Sequence, residues 1–498
     1  MFSPSLEDVK EIAKNEEYKR IPISYELFSD MATPIEVLRI LKGISNHCYM
    51  LESIEDSQKW GRYSFLGFNP LLEFTCQNGV VQIKGDADFN ELNDDVVTIK
   101  TDNPGEVIKD LISKNKSPKL DYLPPFTGGF VGYFAYDYIK YAEPSLNLDA
   151  ENQDQFKDID LMLFDKVIAF DNFKQKIIII SNMKTDDLER NYQNACEDLK
   201  CIADLIKEGK KAEIEPLELK SEFKPAFSRE KYCDMVNKAK DYIKEGEIFQ
   251  VVLSNRIEAD ISGSLFDTYR VLRTTNPSPY MFYFSSNDIE IAGASPETLV
   301  KLTDKKLYTF PLAGTRPRGL TDEEDLMLEK DLLADEKELA EHNMLVDLGR
   351  NDIGRIAEIG SVTVDKYLSI ERFSHVMHIG STVSGILRSD LDSLAAIDSI
   401  LPAGTLSGAP KIRACEIINE LEDNKRGIYG GAIGYLDLSG NLDTCISIRI
   451  AFARNNKVFI RSGAGIVADS VPDNEFDECL NKARAVINAL EISNGGLE

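Results

Sequence analysis

Three groups of residues in this sequence have the types and spacing to do chemistry on an anion. The first is Pro311-Leu312-Ala313-Gly314-Thr315-Arg316-Pro317-Arg318-Gly319, a hydroxyl and two guanidinium groups around a glycine. Arginine offers a planar fork of donors to carboxylate or phosphate, and glycine lets backbone approach a ligand closely. The stretch reads as an anion-handling loop after a strand at 307–310, with Ala313 contributing only a methyl. The second group is two Glu-x-x-Glu pairs on predicted helices, Glu338/Glu341 and Glu475/Glu478. A spacing of three places each pair on one helix face. Leu345 and Leu348 continue the first face, so those carboxylates are expected to point inward, where a cation must answer them. Oxygen ligands from two helices suit Mg²⁺, which completes its shell with water and substrate oxygens. Glu475 has a second reading, because a first helical turn after Pro472 favours an acid through the macrodipole alone. The third group, Gly463-Ala464-Gly465, ends a strand and can turn backbone N–H groups towards a ligand.

Other motifs exclude chemistries. Gly404-Thr405-Leu406-Ser407-Gly408-Ala409-Pro410-Lys411 has the look of a phosphate loop, yet Ala409 and Pro410 stand where Gly-Lys-Ser/Thr would be needed. Pro410 instead opens a helix running through Ile412, Cys415, Ile418 and Leu421. Of four histidines, His375 and His378 lie in one short segment; no Ser/His/Asp signature or nucleophile elbow accompanies them. A net charge of -27 excludes a nucleic-acid binder, which needs clustered Lys and Arg. The same charge repels an anionic substrate unless a local cation overrides it.

These residues must be positioned by a large framework, and 498 residues suffice for one. Strand-like runs at 79–83 and 176–181 alternate with turns in the first part of the chain. Between residues 202 and 225 the sequence turns Lys/Glu-rich, the composition of a linker, and a boundary is placed there. Beyond it Tyr232, Met235, Val236, Ala239, Tyr242 and Ile243 recur at helical spacing and stop at Gly246, before a strand at 248–254. Three β-runs at 430–438, 442–453 and 458–461 are joined by short turns and must pair antiparallel. In the middle run Leu442, Thr444, Ile446, Ile448 and Ile450 should share one face, and Asp443, Cys445, Ser447, Arg449 and Ala451 the other. No apolar run approaches the roughly 20 residues that span a bilayer, and no secretory signal opens the chain. Eight cysteines without metal-ligand spacing read as free thiols of a reducing cytoplasm.

Taken together the segments resemble the chorismate-utilising enzymes, and within them the large-subunit family of the anthranilate synthases. The resemblance is carried by Leu51-Glu52-Ser53, Lys59-Trp60-Gly61-Arg62-Tyr63-Ser64, Asn276-Pro277-Ser278-Pro279-Tyr280-Met281, Ala294-Ser295-Pro296-Glu297 and the nonapeptide. It continues through Glu341-His342, Gly349-Arg350-Asn351-Asp352, Val376-Met377-His378, Gly404 to Lys411, Tyr429-Gly430-Gly431 and Asp469-Ser470-Val471-Pro472. It implies an α/β (α+β) fold with large, mainly antiparallel sheets in a two-layer core flanked by helices. It also implies a regulatory region at 1–220 and a chorismate-binding catalytic domain at 228–495.

By the same resemblance, chorismate and ammonia give 2-amino-2-deoxyisochorismate, and loss of pyruvate then leaves anthranilate. Mg²⁺ would sit on Glu341 and Glu478, opposite the ring carboxylate. Gly314, Thr315, Tyr429, Arg449, Gly463, Ala464 and Gly465 would hold the substrate. Glu297 would be the acid for the 4-hydroxyl, His378 the base for the C2 proton, and Thr405 would position the enolpyruvyl group. Tryptophan would bind as inhibitor at Ser53, Pro279, Tyr280 and Met281; Met50 replaces a leucine common in the family, a volume-conserving change. A separate glutamine amidotransferase subunit would supply ammonia in an αβ or α2β2 assembly, because no glutaminase signature is present. Two departures separate this chain from related enzymes. Aminodeoxychorismate synthases carry a lysine where Ala313 stands, and a methyl is no nucleophile. Isochorismate and salicylate synthases carry a water-activating lysine where Gln250 stands. Aminodeoxychorismate synthase and a silent chorismate or tryptophan sensor are the alternatives, and retention of Glu297, Glu341, His378 and Glu478 argues against the sensor.

Overall fold

The computed structural model describes residues 2–53, 61–85, 96–372 and 376–497; Lys59, Trp60 and His375 lie outside them. Among the described residues two large sheets of antiparallel ladders, one of 14 strands and one of 12, form the centre. The run Lys176–Lys184 shows why they stack. Its isoleucines alternate, with Ile178 and Ile180 entering an aromatic cluster that also holds Phe164 and Tyr133 of the other sheet. Ile177 and Ile179 face the opposite way, onto Leu38, Leu199 and Ile202 of helices Pro34–Leu41 and Leu188–Glu208. A strand buried on both faces reads as an unbroken apolar run, and each such side chain contributes ~1.5–3 kcal/mol. The 12-stranded sheet is covered likewise by helices Pro104–Ser113, Glu336–Gly354 and Ser393–Ile400. The architecture is therefore the expected two-layer β core with helices outside.

Segments from both sides of residues 220–228 share each sheet. Cys48–Glu52 pairs with Tyr280–Ser285, and Gly129–Phe134 with Ala432–Asp437. The Lys/Glu-rich linker is shorter than its composition suggested. Residues 202–208 complete the helix Leu188–Glu208, because Ile202, Ala203 and Ile206 extend the buried stripe begun by Ala195 and Leu199.

Two other expectations are corrected. The middle C-terminal run is two strands, Leu442–Ile446 in the smaller sheet and Ile450–Arg454 in the larger, with Ser447-Ile448-Arg449 crossing between them. The two-face alternation ends at Ile446: Ile448 packs with the outer core of the smaller sheet and Ile450 with the core between sheets. Arg449 makes the turn at φ 52°. The nonapeptide is an edge strand rather than a loop, Leu312–Pro317 paired to Val376–Ile386 with a bulge between Ala313 and Arg316. Gly314 at φ 64° supplies the left-handed residue such a bulge requires. No described helix is long and apolar enough to cross a membrane.

Candidate active site

Two strand-to-strand crossings lie side by side and build the centre of the site. Glu290–Ser295 ends in the larger sheet and Thr298–Thr303 begins in the smaller, so Pro296-Glu297 crosses between sheets as Ser447-Ile448-Arg449 does. The crossings are tied together. Ile446 N–H donates to the Glu297 carbonyl at 2.9 Å, Ser295 Oγ to the Ile446 carbonyl at 2.6 Å, and Ala294 N–H to the Arg449 carbonyl at 3.2 Å. Thr405, on the short turn Gly404–Leu406, donates through Oγ1 to Glu297 Oε1 at 3.1 Å. Burial pushes the Glu297 carboxyl up to about 7, against the opposing pull of the Thr405 bond and the cations Arg449 and Lys482.

His378 comes from the strand Val376–Ile386, with Nδ1 at 2.8 Å from the Gly314 carbonyl and 3.1 Å from Thr315 Oγ1. A carbonyl only accepts, so Nδ1 carries the proton and Nε2 is the basic nitrogen. Burial lowers the imidazole pKa, the bond to Gly314 opposes this, and Arg449 lowers it further. Arg449 thus acts on both Glu297 and His378, which marks one shared site.

The floor is Gly463-Ala464-Gly465 at the end of Lys457–Ile466, in register with Ser254, Leu253 and Val252. A Cβ on Gly463 would meet the Leu253 carbonyl at 2.6 Å, so glycine lets the paired strand approach here, and it would also crowd the hydroxyl of the buried Tyr429 at 3.1 Å. Gln250, at the start of Gln250–Ser262, is buried with its amide against Gly465.

Glu341 and Glu478 approach from the helices Glu336–Gly354 and Pro472–Ser493. The first face does not turn wholly inward. Leu345 is buried and Glu338 half-buried, but Glu341 is exposed. Its pKa is nevertheless raised, first by partial desolvation and then by Glu338, with Glu478 adding to the crowding and Lys337 and Lys482 relieving it. Glu475 is raised for similar reasons. Crowded carboxylates from two helices are a donor set that fits a hard divalent cation.

The nonapeptide arginines are committed elsewhere. Arg316 pairs with Asp331 at 2.7 Å and Asp335 at 2.9 Å, and Arg318 with Asp325 at 2.8 Å. Asp335 also caps the helix Glu336–Gly354, so Arg316 braces the bulge against the helix that bears Glu341. The sequence reading left two groups without a role. Lys482 sits 2.7 Å from Glu478 and 3.2 Å from the Gly463 carbonyl, and its spacing of four from Glu478 was the available signal. Lys411 bonds both oxygens of Asp352 at 3.0 Å, fastening the Thr405 segment to the same helix. A further acidic trio, Glu73, Asp160 and Asp288, is filled by Lys157, at 2.9 Å from Asp160 and 3.1 Å from Asp288.

The residues expected to bind tryptophan form a separate group. Ser53 follows Cys48–Glu52, whose partner strand begins at Tyr280, with Glu52 opposite Met281. Ser53 Oγ is buried without a hydrogen-bond partner among the described residues. The Tyr280 hydroxyl donates to Asp443 Oδ1 at 2.7 Å and lies 2.9 Å from Thr298 Oγ1, next in sequence to Glu297.

Residues 33–488 match the chorismate binding enzymes, and the chain belongs to that family. It is 46% identical to anthranilate synthase component 1 of Acetivibrio thermocellus, covering 99% of both chains, and 44% identical to that of Aquifex aeolicus, covering 98% of both. Among solved structures, anthranilate synthase component I of Streptococcus pneumoniae superposes with a TM-score of 0.76 at 38% identity, over 92% of this chain and 98% of that one. The menaquinone-specific isochorismate synthase MenF of Escherichia coli shares the fold, with a TM-score of 0.69 at 19% identity over 97% and 98% of the two chains.

Proposed function

We propose that this chain is the chorismate-converting large subunit of an anthranilate synthase, turning chorismate and ammonia into anthranilate and pyruvate. The opposite protonation of Glu297 and His378 carries the reading. At neutral pH a carboxyl held near 7 keeps much of its proton and a half-buried imidazole below its ordinary value is neutral. One is an acid and the other a base, set by environment. Ammonia attacks C2, the ring double bonds shift, and the 4-hydroxyl leaves as water on taking the Glu297 proton, which the added nitrogen restores as it deprotonates. His378 Nε2 then takes the C2 proton, the ring C3–O bond breaks to leave the aromatic ring, and the departing enolpyruvate takes up a proton to become pyruvate. Thr405 orients both Glu297 and the enolpyruvyl ether, while Arg449, Tyr429, Gly314, Thr315 and Gly463 to Gly465 hold the carboxylates.

Glu341 and Glu478 would hold Mg²⁺, which when bound neutralises the ring carboxylate. The methyl of Ala313 and the amide of Gln250 leave external ammonia as the nucleophile. The ammonia comes from a glutamine amidotransferase subunit in an αβ or α2β2 assembly. Residues 1–220 form the regulatory region and contribute Ser53 to the tryptophan site, which Pro279, Tyr280 and Met281 complete from the catalytic region 228–495, a functional division laid over shared sheets. Eight free cysteines accord with the cytoplasm.

The test is direct. The isolated chain with chorismate, Mg²⁺ and ammonium should form fluorescent anthranilate, tryptophan should suppress it, and glutamine alone should not support it. A folded chain that forms none refutes the proposal.

A further inference from the structure

Beneath the floor of the site lies a charge cluster that the reaction scheme does not use. The side chains of Glu422, Arg426 and Arg461 are each 1% exposed. Glu422 Oε1 accepts from Arg426 Nη2 at 2.6 Å, Ser254 N–H at 2.7 Å and Ser254 Oγ at 2.9 Å. Its Oε2 accepts from Arg426 Nε at 3.0 Å and Arg461 Nη2 at 2.6 Å. One carboxylate therefore answers two guanidinium groups, and the cluster holds a net charge of plus one. A buried, uncompensated cation is costly, so the fold retains it against a penalty.

The cluster adjoins the substrate floor at several contacts, although Arg461 Nη1 also donates to the Lys425 carbonyl at 3.0 Å. Arg426 Nη1 donates to the Leu406 carbonyl, one residue after Thr405, at 2.5 Å. Its Nη2 donates to the Val252 carbonyl at 2.7 Å, and Val252 is in register with Gly465. Its guanidinium lies 4.5 Å from the Tyr136 ring and 5.8 Å from the Tyr429 ring, which offsets part of the desolvation. Arg461 stands two residues before Gly463 and donates through Nε to Ser254 Oγ at 2.7 Å, and Ser254 is in register with Gly463. The neighbouring cation Arg256, opposite Arg461 in the ladder, is answered by Asp154 at 2.6 Å and Glu258 at 3.1 Å.

We propose that Arg426 and Arg461, held apart from solvent by Glu422, are positioning residues whose surplus positive charge draws a substrate carboxylate onto Tyr429 and Gly463 to Gly465 without touching it. The inference rests on the proposed function for the location of the substrate. It adds a second source of positive field, beside Arg449 and the bound cation, by which a chain of net charge -27 accepts a dicarboxylate. Surface arginines would be screened by salt, whereas a field from within the protein is screened far less.

Arg461→Met removes the surplus charge and leaves Glu422 paired with Arg426 and Ser254; Arg461→Lys keeps the charge. In steady-state anthranilate assays Arg461→Met should raise KM for chorismate about tenfold or more with kcat within about threefold, and Arg461→Lys should stay within about threefold in both. Equal KM values for the two variants, or a loss confined to kcat, overturn the proposal. If Arg461→Met does not fold, Arg461→Gln retains donors for Glu422 and Ser254 and carries the same expectation. On the unaltered protein, raising ionic strength from about 0.02 to about 0.2 M should not raise KM, and a severalfold rise counts against a buried field. If the unaltered chain binds chorismate but makes no anthranilate, the functional reading fails by itself, and calorimetric chorismate affinity of the same variants decides this inference.

Discussion

Thr405→Val tests the acid assignment through a single hydrogen bond. The Glu297 carboxyl is raised from its ordinary 4.5 to about 7 by burial. That rise is worth ~3 kcal/mol of preference for the neutral form. Loss of the Thr405 hydroxyl removes the 3.1 Å bond that stabilises the ionised form. A bond to a charged group contributes ~1.5–3 kcal/mol, so the pKa should climb by about one further unit after allowing for solvent in the cleft. The sign is determined: a general acid works below its pKa, so activity is lost as pH rises through about 7 in the unaltered protein. In Thr405→Val that alkaline limb should sit about one unit higher, with kcat itself reduced because the enolpyruvyl group loses its orientation. The assay is kcat against pH by anthranilate fluorescence at saturating chorismate and Mg²⁺, with free ammonia held constant. Stability supplies a second readout. As pH rises from 4.5 to 7 the unfolded chain releases this proton and the native state does not, so the native state loses up to ~3 kcal/mol over that window. Glu297→Gln should therefore be more stable than the unaltered protein above pH 7, equally stable near pH 4, and slower by ~10²-fold or more. An alkaline limb that stays in place or moves down in Thr405→Val, or a Glu297→Gln enzyme with near-normal kcat, would refute the reasoning.

Three other outcomes are expected. His378→Met should let 2-amino-2-deoxyisochorismate accumulate while anthranilate release falls ~10²-fold or more, read by chromatography of the products; undiminished anthranilate removes His378 as the base. Glu341→Gln should cut Mg²⁺-dependent turnover by ~10²-fold and abolish the Mg²⁺-induced rise in Tm, while raising Tm in chelator because a crowded carboxylate has gone. A retained Mg²⁺ shift in that variant would place the ion elsewhere. Tyr280→Phe deletes the bonds to Asp443 and Thr298, and should raise the tryptophan concentration for half-inhibition roughly fivefold or more with kcat little changed; an unaltered inhibition curve excludes Tyr280 from the regulatory group.

Local chemistry made much of this legible. The spacing of Glu338/Glu341 and Glu475/Glu478 gave helix faces, and Tyr232 to Gly246 gave a helix with its terminus, now seen as Arg229–Lys244 ahead of Gly246 at φ 79°. The run 176–181 announced a strand, seen as Lys176–Lys184, and the structure adds that it is buried on both faces. The run 442–453 misled because its alternation continues unbroken through Ser447-Ile448-Arg449, although the two halves pair with different neighbours, Thr298–Thr303 and Glu290–Ser295. Nothing in a residue's own type records which sheet it joins. The nonapeptide misled in another way: its arginines looked like ligand clamps, but carboxylates of the next two helices claim them.

The sequence by itself determined which groups this protein can bring to bear: crowded carboxylates on two helix faces, a glycine-bearing strand end, a methyl at Ala313 and an amide at Gln250. These follow from side-chain chemistry and from periodicities spanning a few residues. Only the tertiary structure decided what those groups become. Glu297 keeps its proton up to near neutrality because two chain crossings bury it beside Arg449, and His378 presents an unprotonated Nε2 because the Gly314 carbonyl accepts from Nδ1. Glu422, Arg426 and Arg461 form a buried cluster of net positive charge beneath the glycine strand only when a helix, a loop and a strand meet. Protonation and field depend on neighbours brought in from distant parts of the chain, and on the water they exclude, which no local pattern encodes.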